Sequence, residues 1–202
     1  MTRPEKNRNI GCQKSRGFTL IECVVTLGLI ALSAAASLPA LARMQVRNHQ
    51  TIAAQELKLL VQRGRMEALQ RGVRVGIHFT QDDKGWSYRF YRDGNANGLT
   101  APDREKGVDP PLGSALPLFW SNPFTPRLTA GAPVISGETQ PDDPITLTGH
   151  TLTFSPCASF NNGTIYLGDG REALALRLQG STGRVRVYTW HPGLQNWKEI
   201  IS

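Results

Sequence analysis

Cysteine is scarce in this sequence, and its distribution excludes a disulfide framework. The 202 residues contain three cysteines, of which Cys12 and Cys23 lie close to the N-terminus and Cys157 stands alone in the rest of the chain. Without a pairing partner there, Cys157 is interpreted as a small packed residue rather than a reactive one. The fold must therefore rest on an apolar core, for which about 160 residues are sufficient.

Catalytic motifs are also missing. No histidine belongs to a His-Glu-x-x-His helix or lies beside a cysteine pair, and no Gly-x-Ser-x-Gly elbow or phosphate-binding loop is found. We therefore predict a protein that is not an enzyme and needs no cofactor. The four scattered histidines, interpreted as structural, are His49, His78, His150 and His191.

Charge is nearly absent from one long segment. Between Arg16 and Arg43 the only charged side chain is Glu22, and about 20 apolar residues are enough for a helix to cross a bilayer. The preceding residues carry five basic side chains and one acidic one, which predicts a cytoplasmic N-terminus and a C-terminal part across the membrane. A carboxylate within such a span costs about 2.5–3.5 kcal/mol on insertion scales, so Glu22 should have a functional partner.

The residues around this carboxylate resemble the class III signal of type IV pilins and type II secretion pseudopilins. Basic residues precede Gly17, and Phe18-Thr19-Leu20-Ile21-Glu22 follows. The resemblance implies that a prepilin peptidase cuts between Gly17 and Phe18, that Phe18 is N-methylated, and that Glu22 pairs with the new amine of a neighbouring subunit in a filament. An amine at Phe18 is a cation that would offset a buried carboxylate.

The apolar run is also compatible in form with two other kinds of signal. Ala40-Leu41-Ala42 has the small-x-small form of a secretory cleavage site, which would release a soluble protein. The long polar leader and Glu22 argue against this alternative. A lipoprotein signal ending at Cys23 fails, because Glu22 precedes the cysteine and the cysteine lies early in the run.

The rest of the chain predicts an α+β fold of pilin type, in which a long N-terminal helix packs on an antiparallel sheet. We assign residues 1–17 to the leader, 18–41 to the transmembrane helix, 42–72 to its periplasmic half and 73–202 to the sheet domain. The helix should end at Gly72. Its inner stripe comprises Ala53, Leu57, Leu60, Val61, Gly64 and Ala68; a second set, Ile52, Leu59 and Met66, either packs on the domain edge or contacts neighbouring helices.

Alternating apolar residues predict the strands. Val75–Phe79 and Trp86–Phe90 form a hairpin, and further strands are expected at Ile145–Phe154, Gly163–Leu167, Ala173–Leu178, Arg184–Trp190 and Trp197–Ile201. Residues 93–145 read as a long irregular insertion, with short strands at Ala115–Trp120 and Pro133–Ser136.

One loop resembles half of a calcium site. Residues 93–98 place oxygens at Asp93, Asn95 and Asn97 and a glycine sixth, but position twelve is Arg104 instead of glutamate. The alternatives are a weak calcium site and an Asn/Gly turn held by its own side chains. Similar loops occur in the GspH/FimT branch of pseudopilins.

The C-terminal strand carries a second constellation. Arg184, Arg186, Tyr188 and Trp190 share one face by period-2 alternation, and guanidinium groups beside aromatic rings can bind phosphates and stack on bases. Gly183-Arg184-x-Arg186 resembles FimT-type minor pilins, in which this pattern is linked to binding of double-stranded DNA. The alternative is a solvated strand face with cation–π pairs.

These observations predict a minor pilin or pseudopilin of the GspH/FimT type, anchored once in the bacterial inner membrane with a periplasmic C-terminal domain. Its expected partners are other pilins, the prepilin peptidase and DNA. It would initiate or cap a type IV pilus or a type II secretion pseudopilus. The alternatives are a secretion subunit without DNA binding and a soluble secreted binding protein.

Overall fold

The computed structural model describes residues 17–118, 123–135, 141–157 and 159–200. Within the helix, the side chains of residues 39, 40, 42 and 43 are outside the description. The predicted leader therefore lies outside the described residues up to position 16, as do the predicted strand ends at Trp120, Ser136 and Ile201. The small side chains of the alternative cleavage site at Ala40 and Ala42 fall there too.

The elements follow an α+β order. The helices are α1 (Leu20–Arg71), α2 (Ala101–Glu105) and a 3-10 turn (Thr148–His150); the strands are β1 (Val75–Asp82), β2 (Gly85–Arg92), β3 (Leu116–Pro117), β4 (Thr125–Pro126), β5 (Thr151–Phe154), β6 (Gly163–Gly168), β7 (Ala173–Gln179), β8 (Arg184–Trp190) and β9 (Lys198–Ile200). The chain divides into two compact units, Met1–Met44 and Gln45–Ser202. Helix α1 begins in the first unit and ends in the second.

The first unit contains the apolar beginning of α1. Leu20–Leu38 is long and apolar enough to cross a membrane by length and composition, and this window is wholly exposed. Large apolar side chains facing outward all along a helix are suited to a lipid environment rather than to water.

The second unit is built on two antiparallel sheets. Their strand orders are β3-β2-β1-β5 and β4-β6-β7-β8-β9. The predicted inner stripe of α1 is buried together with apolar side chains from both sheets, including Phe79, Phe154 and Leu176. Gly72 ends the helix as predicted, with a left-handed φ of 67° that favours glycine. The α+β prediction is thus confirmed.

Several local features differ from expectation. Of the two alternatives for the second helix set, packing on the domain edge is disfavoured, because Ile52, Leu59 and Met66 are 52%, 64% and 52% exposed; contact with neighbouring helices stays a prediction. Cys157 is likewise exposed rather than packed. The strand predicted at Ile145–Phe154 is broken, since only its last four residues form β5 and a 3-10 turn with a left-handed Gly149 precedes them.

The insertion is more structured than predicted. Its first half contains α2. Of the described residues 115–118 of the predicted strand at Ala115–Trp120, only the two residues of β3 form a strand. Within Pro133–Ser136, the described residues form no strand. Ile135 instead covers the outer face of the second sheet in a small apolar cluster with Tyr166 and Ala175.

Candidate functional site

The residues flanking the predicted cleavage point are accessible. Gly17, Phe18 and Thr19 precede α1 in non-helical conformation. A Cβ atom built on Gly17 would meet nothing within 4 Å, and the Phe18 side chain is 78% exposed. A peptidase can therefore reach this bond in the first unit without unfolding a helix.

Glu22 is held by a capping box at the start of α1. The backbone N–H and the hydroxyl of Thr19 both donate to Glu22 Oε2 at 3.1 Å, and the Glu22 N–H donates to Thr19 Oγ1 at 3.3 Å. This reciprocal Thr-x-x-Glu arrangement satisfies donors that the helix itself leaves unpaired. Thr19 is thus a local partner of the Glu22 carboxylate. It directly follows Phe18, where the predicted cleavage would create a new amine.

The predicted calcium loop is closed by buried carboxylates. Both oxygens of Asp93 accept backbone N–H groups, from Asn95 at 3.3 Å and from Gly98 at 2.9 Å. Asp109, fully buried and not singled out in the sequence, likewise accepts from Gly94 and Thr100. These bonds fold the loop back onto the segment that follows α2.

The amide groups of this loop converge on a third carboxylate. Asn97 Nδ2 donates to Asp103 Oδ2 at 3.1 Å, and Asn95 Nδ2 lies 3.4 Å from the same oxygen. Hydrogen bonds from Asn97 first, and then from Thr100, lower the pKa of the Asp103 carboxyl. In the described part of the chain no three His, Cys, Asp or Glu side chains are grouped to hold a metal ion. The geometry favours a turn held by its own side chains, and the weak calcium site at Asp93, Asn95 and Asn97 stays a prediction.

The predicted basic face lies on β8, directly after a tight turn. Gly183 has a left-handed φ of 66°, and its carbonyl oxygen accepts a hydrogen bond from Arg65 Nη2 on α1. Arg184 is exposed, and the Arg186 side chain is 39% exposed, with its Nε atom 3.7 Å from Glu199 Oε1. A hydrogen bond with Tyr188, and secondarily the nearby Glu199, raise the pKa of Arg186.

The aromatic half of that face is covered. Trp190 is 6% exposed, and its Nε1 donates to the carbonyl of Leu194 at 2.9 Å. Tyr188 packs against the small cluster formed with Ile135 and Tyr166. The expectation that both rings are available to stack on bases is therefore wrong for Trp190, because its side chain is buried. What remains open is the arginine end.

Sequence reasoning missed a third arginine on the same face. In the register of β7 and β8, Arg177 is the direct partner of Arg186, and Gln179 is the partner of Arg184. The signal was available, because Leu174, Leu176 and Leu178 alternate with this residue and face the core. Antiparallel pairing across the Gly180–Gly183 turn then places Arg177 beside Arg186.

Comparison with known proteins gives matches over most of the chain. The family described as type II transport protein GspH matches residues 53–184, and the prokaryotic N-terminal methylation motif matches residues 12–38. The pilin-like protein PilA1 of Thermus thermophilus is 34% identical over 93 residues, which cover 46% of this chain and 58% of that relative. This chain thus matches less than two thirds of the relative's length. No solved structure gives a significant match.

Proposed function

This chain belongs to the GspH family of type II transport proteins, and we propose that it is a minor pilin or pseudopilin that joins a filament after processing at its N-terminus. The family consists of structural subunits. The single observation that carries the proposal is the methylation motif at residues 12–38, placed directly before an apolar helix that can span a membrane.

The proposed working state follows from this order of segments. The apolar helix anchors the chain in the bacterial inner membrane, with the basic N-terminus in the cytoplasm and the sheet domain in the periplasm. A prepilin peptidase cuts between Gly17 and Phe18, Phe18 is methylated, and Glu22 then pairs with the amine of a neighbouring subunit. The subunit helps to initiate or cap a type IV pilus or a type II secretion pseudopilus.

Processing is tested by a change at the cleavage point. We expect Gly17→Val to keep the leader attached, because the peptidase requires a small residue immediately before the cleaved bond and valine is branched at Cβ. Intact-mass measurement of the protein extracted from membranes separates the precursor from the mature chain. Gly28→Val is the matched control, since Gly28 is equally unobstructed on α1 but lies outside the cleavage point. A mature N-terminus after Ala42 would instead support the secreted alternative.

A second function, capture of double-stranded DNA, is favoured by the open arginine end of the β8 face. Arg184 and Arg186 project from one face of a strand whose preceding turn is fixed to α1 through Arg65. Guanidinium groups match the geometry of phosphate oxygens. Because Trp190 is buried, the proposed contact is to the DNA backbone and is independent of base sequence.

This second function is tested with the full chain in a nonionic detergent and a labelled duplex at several salt concentrations. Replacing both Arg184 and Arg186 by Gln should weaken binding and lower the slope of log affinity against log salt by about two. The double variant Arg92→Gln/Arg171→Gln removes the same charge from two other exposed arginines and should keep most of the affinity. Equal losses of DNA affinity in both double variants would indicate a general effect of net charge. The proposed DNA site would then be wrong, and the role of a structural pseudopilin would remain.

A further inference from the structure

Arg65 of α1 makes two contacts next to the turn that precedes β8. Its Nη2 atom donates a hydrogen bond to the carbonyl oxygen of Gly183, and its Cζ atom lies 4.7 Å from the centroid of the Phe160 ring. The buried Nε atom of Arg65 has no hydrogen-bond partner in the described part of the chain. The side chain is thus held by one carbonyl oxygen and one ring, although burying an unpaired donor costs free energy.

The turn between β7 and β8 is held at both of its ends. At its start, the backbone N–H of Gly180 donates to Asn162 Oδ1 at 2.7 Å, and a Cβ atom at Gly180 would overlap the carbonyl oxygen of Phe160. At its end, Gly183 has a left-handed φ of 66°, and a Cβ atom there would lie 3.5 Å from Arg65 Nη2. The segment before β6 therefore fixes where the turn begins, and α1 fixes where it ends.

Arg184 is the side chain that this turn presents. It directly follows Gly183 and is exposed, and its register partner on β7 is the neutral Gln179. Among the residues that the structure describes, Arg184 forms no ion pair, whereas Arg186 Nε lies 3.7 Å from Glu199 Oε1. The charge of Arg184 is therefore open to an anion, and the direction of its side chain depends on the backbone of the turn.

A fixed backbone before Arg184 lowers the entropic cost of a phosphate contact. An arginine carried by a loose turn would lose both side-chain and backbone freedom on binding, whereas here the backbone is ordered beforehand. The Arg65 guanidinium is already bound to the Gly183 carbonyl and stacked on the Phe160 ring. We therefore assign it no phosphate contact of its own.

We propose that Arg65 is a positioning residue for DNA capture, which holds the Gly183 carbonyl and thereby sets the direction in which Arg184 meets a phosphate group. This inference rests on the proposed capture of double-stranded DNA and adds a residue of α1 to it. It also connects the proposed DNA-binding turn directly to the helix that anchors the subunit in the proposed function.

Arg63 provides a matched control for Arg65. It lies two residues earlier on α1, and its Cζ atom is 5.0 Å from the centroid of the Phe90 ring in the first sheet. Arg63→Gln thus removes the same charge and the same kind of ring contact but leaves the turn untouched. The full chain in nonionic detergent is titrated with a labelled duplex at several salt concentrations. Arg65→Gln should weaken binding roughly fivefold, and Arg63→Gln should keep most of the affinity.

A double-mutant cycle with Arg184→Gln separates positioning from a direct phosphate contact. If Arg65 acts through Arg184, Arg65→Gln should lose its effect on affinity when Arg184 is already replaced. The slope of log affinity against log salt should then be the same in Arg184→Gln and in Arg65→Gln/Arg184→Gln. Additive losses of affinity, with the slope lowered by about one more in the double variant, would show that Arg65 itself contacts phosphate and would overturn the proposal.

The same cycle covers the case in which Arg65→Gln disturbs folding. A smaller folded fraction would reduce the apparent affinity by the same factor with and without Arg184, and a lower Tm would report it directly. Arg65→Lys is the second variant, because it keeps the charge but loses the planar fork of donors. We expect it to bind DNA more weakly than the parent. Binding as tight as that of the parent would show that charge alone is sufficient, and the positioning role would be wrong.

The outcomes also separate this inference from the proposed capture of DNA. If the Arg184→Gln/Arg186→Gln variant loses binding while Arg65→Gln matches the parent, Arg65 is not a positioning residue and DNA capture stands. If the parent does not bind the duplex at low salt, both are wrong. Equal losses in Arg65→Gln and Arg63→Gln would indicate a general effect of charge on α1 and would overturn the role of Arg65 alone.

Discussion

A single missing methyl group sets how closely helix α1 approaches strand β5. Gly64 is buried in the inner stripe of the helix, and a Cβ atom built there would overlap the aromatic ring of Phe154. Phe154 is fully buried and itself packs edge-on against Phe160, with 6.0 Å between the ring centroids. The ring therefore has little freedom to move away from the helix.

We predict that Gly64→Ala destabilises the protein. Alanine is favoured over glycine in a helix interior by about 1 kcal/mol, so intrinsic propensity alone would make the variant more stable. Overpacking against a fixed ring costs about 1–3 kcal/mol, and the overlap here is with ring atoms rather than with the end of a flexible side chain. Urea unfolding followed by tryptophan fluorescence measures whether the free energy of unfolding of the variant is lower than that of the parent.

The companion variant Phe154→Leu removes the ring that the new methyl group meets. In the double variant, Gly64→Ala should therefore cost much less than it does alone, which a double-mutant cycle measures as coupling between the two sites. Gly72→Ala is unsuitable as a control because of its positive φ. Additive effects of the two substitutions would show that the contact does not limit the approach of the helix.

At the scale of elements, periodicity predicted the strands in which several alternate residues are buried on one face. Val75, Ile77 and Phe79 are all buried, as is the leucine series of β7, so the period-2 pattern and the core face coincide. The inner stripe of α1 was predictable for the same reason at period 3.6. In these elements local sequence and tertiary packing favour the same structure.

Short elements gave no such pattern. Strands β3 and β4 are two residues long and each contains a proline, so they exist only because a longer strand lies alongside. Helix α2 is signalled by Thr100, whose hydroxyl accepts the Asp103 N–H at 3.2 Å, followed by a proline in the first turn. That capping signal was readable, but a helix of five residues carries no periodicity to support it.

On the candidate basic face, alternation predicts which residues share a face of the strand but not which of them other segments cover. Period 2 correctly grouped Arg184, Arg186, Tyr188 and Trp190, since all four lie on the face opposite Val187. It could not show that Leu128, Ile135 and Trp197 cover one end of that face, because Leu128 and Ile135 are distant from Tyr188 in sequence. The position of Arg177 could have been predicted from the sequence, because the register of the hairpin alone places it beside Arg186.

At the scale of the whole molecule, a polar junction joins β1, β5, α2 and the 3-10 turn. His78 Nδ1 lies 3.1 Å from Thr151 Oγ1, which also accepts a hydrogen bond from Arg104 Nη1 at 3.2 Å. Burial lowers the pKa of His78, and electrostatic interaction with Arg104, and then with the nearby His150, lowers it further. The Tyr91 ring stands edge-on to the imidazole at 6.3 Å.

This junction predicts a loss of stability on mild acidification. The pKa of His78 is lower in the folded state than the ordinary value of about 6.5 in the unfolded chain, so between these two values the unfolded state binds more protons. Stability is therefore fully present above about pH 6.5 and falls as the pH decreases toward the folded-state pKa. Thermal unfolding of the full chain in nonionic detergent, compared between pH 7.5 and pH 5.5, measures this loss.

The histidine variants assign that loss to one group. We expect His78→Gln to flatten the dependence of Tm on pH over this range, because glutamine keeps a polar side chain beside Thr151 without binding a proton. His191→Gln, at an exposed position after β8, should retain the slope of the parent. A slope in His78→Gln as steep as that of the parent would mean that other groups control acid stability, and that the junction tolerates a charged imidazole between Arg104 and His150.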